Sequence, residues 1–211
     1  MTNFIPIFPL GIVVYPGEQL NLHIFEPRYR QLITKCWLGK KPFGIPPVIN
    51  NAVNEWGTLV EITEISKIYE DGKMDIKTTG TKVFRTLEII KDVPGKLYSA
   101  AIVTYPENGF LGSPGIMKKI ISGIRKLHHQ LDFNKEFQKP DESLSSYDVA
   151  HFAGLSLQEE YELLCLLKEL FRQEYLKRHL AKIAPLVNEI DLLKKRIKLN
   201  GHFKNLESFD F

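Results

Sequence analysis

The apolar pattern of this chain changes once, close to Pro106, and one kind of secondary structure cannot accommodate both halves. From Phe4 to about Tyr105, Pro and Gly interrupt short runs of β-branched and aromatic residues, the pattern of brief strands joined by tight turns. Beyond Pro106, apolar residues recur every three or four positions, as on one face of a helix. The expected class is therefore α+β, with a β-rich N-terminal domain and a helical C-terminal one. Gly109, Gly112, Pro114 and Gly115 read as a breakable linker between them.

Within the first half the spacing predicts strands over 4–8, 19–25, 43–48, 59–69, 73–79, 83–90 and 97–105. Asp71-Gly72 suits a two-residue hairpin between the strands at 59–69 and 73–79. Alternation breaks near Glu64-Ile65, where an extra residue forms a bulge and curls the sheet. One helix interrupts the strands: Pro27 suits a first turn, Tyr29, Leu32, Ile33, Cys36 and Trp37 share a face, and Gly39 ends it.

In the second half a helix is predicted over 114–131, with Ile116, Ile120, Ile124, Leu127 and Leu131 in one stripe, and then a polar loop over 132–146. Ser156 and Glu159 form a capping box that opens a central helix, whose apolar residues from Tyr161 to Phe171 cover most of its circumference. A last helix carries Leu176, Leu180, Ile183, Val187, Ile190, Leu193 and Ile197 at a seam-like spacing, kinked at Pro185, which offers a surface for self-association. Phe203, Phe209 and Phe211 stand in a short tail. The expected division is 1–108, 113–201 and a tail over 202–211.

Composition excludes some partners. With 28 Lys plus Arg against 25 Asp plus Glu, the net charge of +3 supplies no long-range field that gathers nucleic acid or anionic membrane. Apolar runs are far shorter than the roughly 20 residues that cross a bilayer. The start lacks a basic region followed by an apolar core, so no secretory signal is expected. Cys36 and Cys165 sit in apolar helical patterns and read as buried thiols. A soluble cytoplasmic protein is expected, with no cofactor and no metal.

Certain runs carry a resemblance. Ile5-Pro6-Ile7-Phe8-Pro9-Leu10, Tyr15-Pro16-Gly17, and Leu22-His23-Ile24-Phe25-Glu26-Pro27-Arg28-Tyr29-Arg30 are followed by Phe43-Gly44, by Gly57-Thr58-Leu59-Val60-Glu61-Ile62, by Asp71-Gly72, and by Gly80 and Phe84. In that order they resemble the N-terminal domain of the ATP-dependent Lon proteases, over roughly the first 105 residues. Gly11 and Asn21 depart from the arginine and proline common in that family. The resemblance implies a six-stranded PUA-like pseudo-barrel with one helix, followed in longer members by a helical bundle. It also implies a non-catalytic, ATP-independent protein-binding module that recognises unfolded or regulated polypeptides. No Walker A loop is present: Gly39-Lys40-Lys41, Gly72-Lys73-Met74 and Gly95-Lys96-Leu97 lack the glycine spacing and the hydroxyl residue that cradle a nucleotide. A serine–lysine protease domain is likewise not expected.

Aromatic side chains left exposed on such a domain form a peptide groove, and Tyr15, Phe25, Tyr29 and Phe43 are the candidates, with core packing as their competing role. Glu26, Arg28 and Arg30 read as ordinary structural pairs at a helix start, and His23 as a hydrogen-bonded corner residue. His128 and His129 are adjacent, point about 100° apart, and are expected in solvent. Asp148 and His151 supply too few ligands for zinc. Two other classes of function remain alternatives: an RNA-binding PUA-like module, against which the charge balance argues, and a small enzyme with a site between the two domains.

Overall fold

A computed structural model describes residues 3–131, 133 and 136–185. The chain divides into two compact units, one reaching Pro106 and the other starting at Glu107.

In the first unit the strands are β1 (Asn3–Pro6), β2 (Gln19–Ile24), β3 (Phe43–Ile45), β4 (Val48–Ile49), β5 (Ala52–Val53), β6 (Trp56–Ile68), β7 (Met74–Ile90) and β8 (Ala100–Thr104). Six of them form an antiparallel sheet in the order β1-β8-β7-β6-β3, with β2 also paired to β7. β4 and β5 make a separate hairpin. β2 alternates between outward and buried positions, so Leu20, Leu22 and Ile24 enter the core. Against them lies the single helix α1 (Pro27–Gly39), which buries Tyr29, Leu32, Ile33 and Cys36. Burial pushes the Cys36 thiol up to about 11.

Differences from the expected strands have local causes. Residues 43–48 split into β3 and β4 at Pro46-Pro47, which have no N–H to donate to a ladder. The predicted strands 73–79 and 83–90 are one long strand, β7, running through Gly80. A side chain at Gly80 would collide with the Tyr15 carbonyl, so this glycine serves a close approach and not a turn. The hairpin after β6 has a three-residue loop: Tyr69 N–H donates to the Lys73 carbonyl at 2.9 Å, Gly72 N–H donates to the Tyr69 carbonyl at 2.9 Å, and Gly72 alone takes positive φ, at 80°. Register shifts occur at three places along β6–β7, one of them between Ile62 and Glu64. Trp37 is 42% exposed and lies outside the buried face of α1, and the left-handed residue that closes the helix is Lys40, with φ 47°, instead of Gly39.

The second unit contains α2 (Pro114–Gln130), α3 (Ser146–Val149), α4 (Leu157–Cys165) and α5 (Glu169–Ile183), with short 3-10 turns at Asp141–Ser143 and Ala150–Phe152. α2 packs on α5: Ile120, Ile124 and Leu127 are buried from one side, and Leu176, Leu180 and Ile183 from the other. The Ser156–Glu159 capping box opens α4, with the Glu159 carboxylate accepting from Ser156 N–H at 2.8 Å.

The expected continuous helix from Leu157 to Phe171 is instead two helices. The break falls at Leu166–Lys168, where Gly109 N–H donates to the Leu167 carbonyl at 2.7 Å and the Gly109 carbonyl accepts from Glu169 N–H at 3.0 Å. The glycine-rich stretch read as a linker is therefore fastened to the helical unit. Leu170 and Phe171 face solvent, Cys165 is only half-buried, and α5 stops at Ile183, two residues short of Pro185. The expected helix past Pro185 and the tail phenylalanines lie outside the described residues.

Candidate functional site

The four aromatic residues singled out as peptide contacts part company in the structure. Tyr15, Tyr29 and Phe43 are at most 4% exposed. Phe8 explains two of these: its ring stacks on Tyr29 with centroids 3.9 Å apart and meets Phe43 at 6.3 Å. Tyr29 and Phe43 belong to the core packed around α1, and Tyr15 is sealed from solvent as well. Phe25 is half-buried and lies beside the His23 ring, with centroids 6.2 Å apart.

His23 belongs to a polar corner at the end of β2 and β7. Its Nδ1 lies 2.6 Å from one Asp75 carboxylate oxygen, while Tyr69 Oη donates to the other at 2.7 Å. The two contacts hold the Asp75 carboxyl below its usual range, that with His23 having the larger effect, and the bond to Asp75 raises the Tyr69 phenol. An open cavity of about 630 Å³ lies here, lined by His23 and the 67–73 hairpin. Among the described residues its lining holds no serine, threonine or cysteine, so no nucleophile of those types stands beside the imidazole–carboxylate pair. Glu26 accepts from Arg28 Nε at 2.8 Å, and Arg30 Nη1 donates to the Asp71 carbonyl at 2.7 Å, which ties α1 to the same hairpin.

In the second unit the histidines are structural as well. His128 is buried, against expectation, because its Nε2 reaches the Phe152 carbonyl at 2.8 Å. His151 pairs with the buried Glu160 at 2.8 Å, and His179 Nε2 lies 3.1 Å from the Ala153 carbonyl. Asp148 accepts from Lys139 and Ser145. Among the described residues, no group of three His, Cys, Asp or Glu side chains is arranged to hold a metal ion, and no helix is long and apolar enough to cross a membrane.

The most heavily engaged charge is Arg172, whose side chain is fully buried. Nε donates to Glu169 at 2.9 Å, Nη1 to Asn108 and the Leu166 carbonyl at 2.7 Å each, and Nη2 to the Gly109 carbonyl at 2.8 Å. The guanidinium also lies 4.2 Å over the Tyr147 ring. Glu169 in turn accepts from Ser146 N–H and Oγ at 2.8 Å each. A planar, multidentate donor is needed to join so many oxygens, and Arg is the residue that supplies one.

This clamp fixes two chain segments side by side, and bulky apolar residues on both stay exposed, although the Phe110 ring keeps one edge against Tyr147 at 6.5 Å and lies 5.7 Å from the Arg172 guanidinium. Phe110 is 59% and Leu111 94% exposed on the first, Leu170 43% and Phe171 54% on the second. A group of exposed apolar side chains on a rigid backbone is the usual mark of an interaction surface. The sequence holds a signal for this: Phe110 and Leu111 stand between glycines in the stretch that reads as a breakable linker, where bulky apolar residues are out of place.

The chain belongs to the family of the ATP-dependent protease La (LON) substrate-binding domain, whose profile matches residues 5–182. That match runs through both units, whereas the resemblance in the sequence motifs covers only the first. Two solved structures share the fold. A Lon N-terminal domain protein from Xanthomonas campestris superposes with a TM-score of 0.65 at 22% identity, covering 82% of this chain and 96% of that one. The N-terminal domain of a Mycobacterium avium complex Lon protease does so with a TM-score of 0.60 at 13% identity, covering 85% of this chain and 98% of that one.

Proposed function

We propose that this chain is a non-catalytic polypeptide-binding module that acts without nucleotide in the cytoplasm and recognises exposed apolar segments of unfolded or regulated proteins. Membership of a substrate-binding family supplies the class of partner. The observation that carries the reading is the exposure of Phe110 and Leu111 on one segment and of Leu170 and Phe171 on the segment paired with it, both tied down by the buried Arg172 network. Apolar side chains that are already ordered lose little entropy when a partner covers them, which favours binding over local collapse. Phe25, the one sequence candidate that is not sealed in the core, is a secondary contact on the first unit.

The finer architecture follows the same line. Parallel bridges from Ile7 to Gly44 and from Leu10 to Pro47 join the chain after β1 to the segment at the opposite end of the sheet, which supports a PUA-like pseudo-barrel. The α2–α5 packing supports a helical bundle, with its domain beginning nearer Glu107 than residue 113 because Asn108 and Gly109 are bound into it.

The test is a titration of a permanently unfolded, fluorescently labelled polypeptide with the purified chain. Leu111→Ser and Phe171→Ser are each expected to weaken binding roughly tenfold, about 1.4 kcal/mol. Undiminished affinity in the doubly substituted chain would remove the cluster from the binding surface.

A further inference from the structure

A second surface, on the first unit, has a different chemistry. α1 contains Arg28, Arg30 and Lys35 but no Asp or Glu, and Lys40 and Lys41 follow it directly. The two arginines are engaged, with Glu26 and with the Asp71 carbonyl. No carboxylate partners Lys35, Lys40 or Lys41 among the described residues, in contrast to Lys73 and Lys77 on the hairpin, which pair with Asp71 and Glu64 at 2.8 Å each. The segment 91–98 runs alongside α1, because Leu97 N–H donates to Gln31 Oε1 at 2.7 Å. That bond places Lys96, the neighbour of Leu97, beside the face of α1 that carries Gln31 and, one turn further on, Lys35, and the nearby Lys35 charge depresses the Lys96 pKa. Two like charges held together in this way repel, and an anion placed between them removes the repulsion. The segment's single carboxylate, Asp92, is exposed and has no basic partner in the structure described. Aliphatic side chains with little cover accompany the lysines: Leu38, three positions after Lys35 on α1, is 78% exposed, and Leu97, next to Lys96, is 62% exposed.

We propose that this end of the first unit docks an acidic polypeptide segment that carries bulky aliphatic residues, its carboxylates bridging Lys35 and Lys96 and its apolar side chains covering Leu38 and Leu97. The inference rests on the polypeptide-binding reading and narrows it to a class of partner. Charge complementarity selects the acid, and the flanking leucines select a peptide over other polyanions. Nucleic acid bases stack on aromatic faces, which this pair of leucines does not provide. An anionic membrane calls for a broader basic and apolar face than two lysines and two leucines.

The experiment uses the full chain and two labelled peptides of alternating Leu with Glu or with Gln, alongside the unfolded polypeptide above. The Glu peptide is expected to bind at least tenfold more tightly than the Gln peptide, and added salt should weaken it. The doubly reversed variant Lys35→Glu, Lys96→Glu should lose that preference while still binding the unfolded polypeptide. Leu38→Ser should weaken the Glu peptide without altering its salt dependence. Lys35 and Leu38 are exposed and Lys96 is half-buried, and circular dichroism verifies that the fold is kept. Equal binding of the two peptides, or a Glu peptide indifferent to the lysine reversals, overturns this proposal alone, because the unfolded polypeptide still binds. Preference for anionic vesicles or an oligoribonucleotide over the Glu peptide overturns it as well. If nothing polypeptide binds in any variant, the broader reading fails too.

Discussion

Arg172 shows how one side chain sets the shape of a whole surface. Its guanidinium is buried with Glu169, and it holds Asn108, Gly109 and Leu166 through further hydrogen bonds. Removing one partner of a buried ion pair leaves the other without compensation. Arg172→Met is therefore expected to lower the stability of the second unit by about 3–5 kcal/mol in a denaturant titration. Arg172→Lys should recover only part of this, since an ammonium is a point donor and cannot join carbonyls and a carboxylate in one plane. A loss below about 1 kcal/mol would mean that the clamp does not fix the segment, judged against the usual worth of a single exposed pair. His179 supplies a pH signature. Burial lowers its pKa, and the Glu159 carboxylate 3.4 Å away offsets that only in part. A folded-state value below the unfolded one means that the unfolded chain takes up the proton more readily. Stability should thus be full above the ordinary histidine value of 6.5 and fall as the pH drops through and below it. Melting the His179→Gln variant across pH 5 to 8 checks the assignment: its acid-side loss should be shallower than that of the parent chain. Identical slopes would place the effect elsewhere.

At the scale of elements, the sequence and the structure agree where local signals decide and part where distant contacts decide. α1 was legible from Pro27 and its apolar face, and it spans Pro27–Gly39 as expected. The capping box of α4 was legible for the same reason. The break between α4 and α5 was not, since it depends on Gly109, a residue some sixty positions earlier, and on Arg172. Periodicity counts apolar residues and cannot see a backbone ladder arriving from elsewhere in the chain. The glycines of the recognisable motifs are explained only in three dimensions. A Cβ on Gly57 would stand 2.6 Å from the Phe84 ring and 2.7 Å from the Ile45 carbonyl oxygen, and one on Gly44 2.8 Å from Ile5 and 2.9 Å from the Phe84 ring, so both strands carry a glycine where this buried aromatic and a close neighbour leave no room. Gly57→Ala is expected to cost about 1–3 kcal/mol by overpacking. The paired change Gly57→Ala, Phe84→Leu should recover part of that in a thermal melt. Additive losses would show that the ring is not what the glycine accommodates.

For the whole molecule, both units carry part of the family match, and each displays an exposed surface of its own kind. Fold class was readable from the change of pattern at Pro106 because binary patterning reports which faces must be covered. The proposed binding surface was less readable. Aromatic content pointed to Tyr15, Tyr29 and Phe43, which the core absorbs, since large rings have the most to gain from burial. Exposed residues of a binding surface are the ones that break the pattern, and Leu111, at 94% exposure, breaks it most. On the proposed reading, a stable platform holds apolar side chains in water for a polypeptide to cover. The decisive measurement is fluorescence anisotropy of a permanently unfolded polypeptide titrated with the pure chain in the absence of nucleotide. Saturable binding that weakens by roughly tenfold on Leu111→Ser is the expected result. A flat titration at concentrations up to hundreds of micromolar, or binding that the substitution leaves untouched, would contradict it.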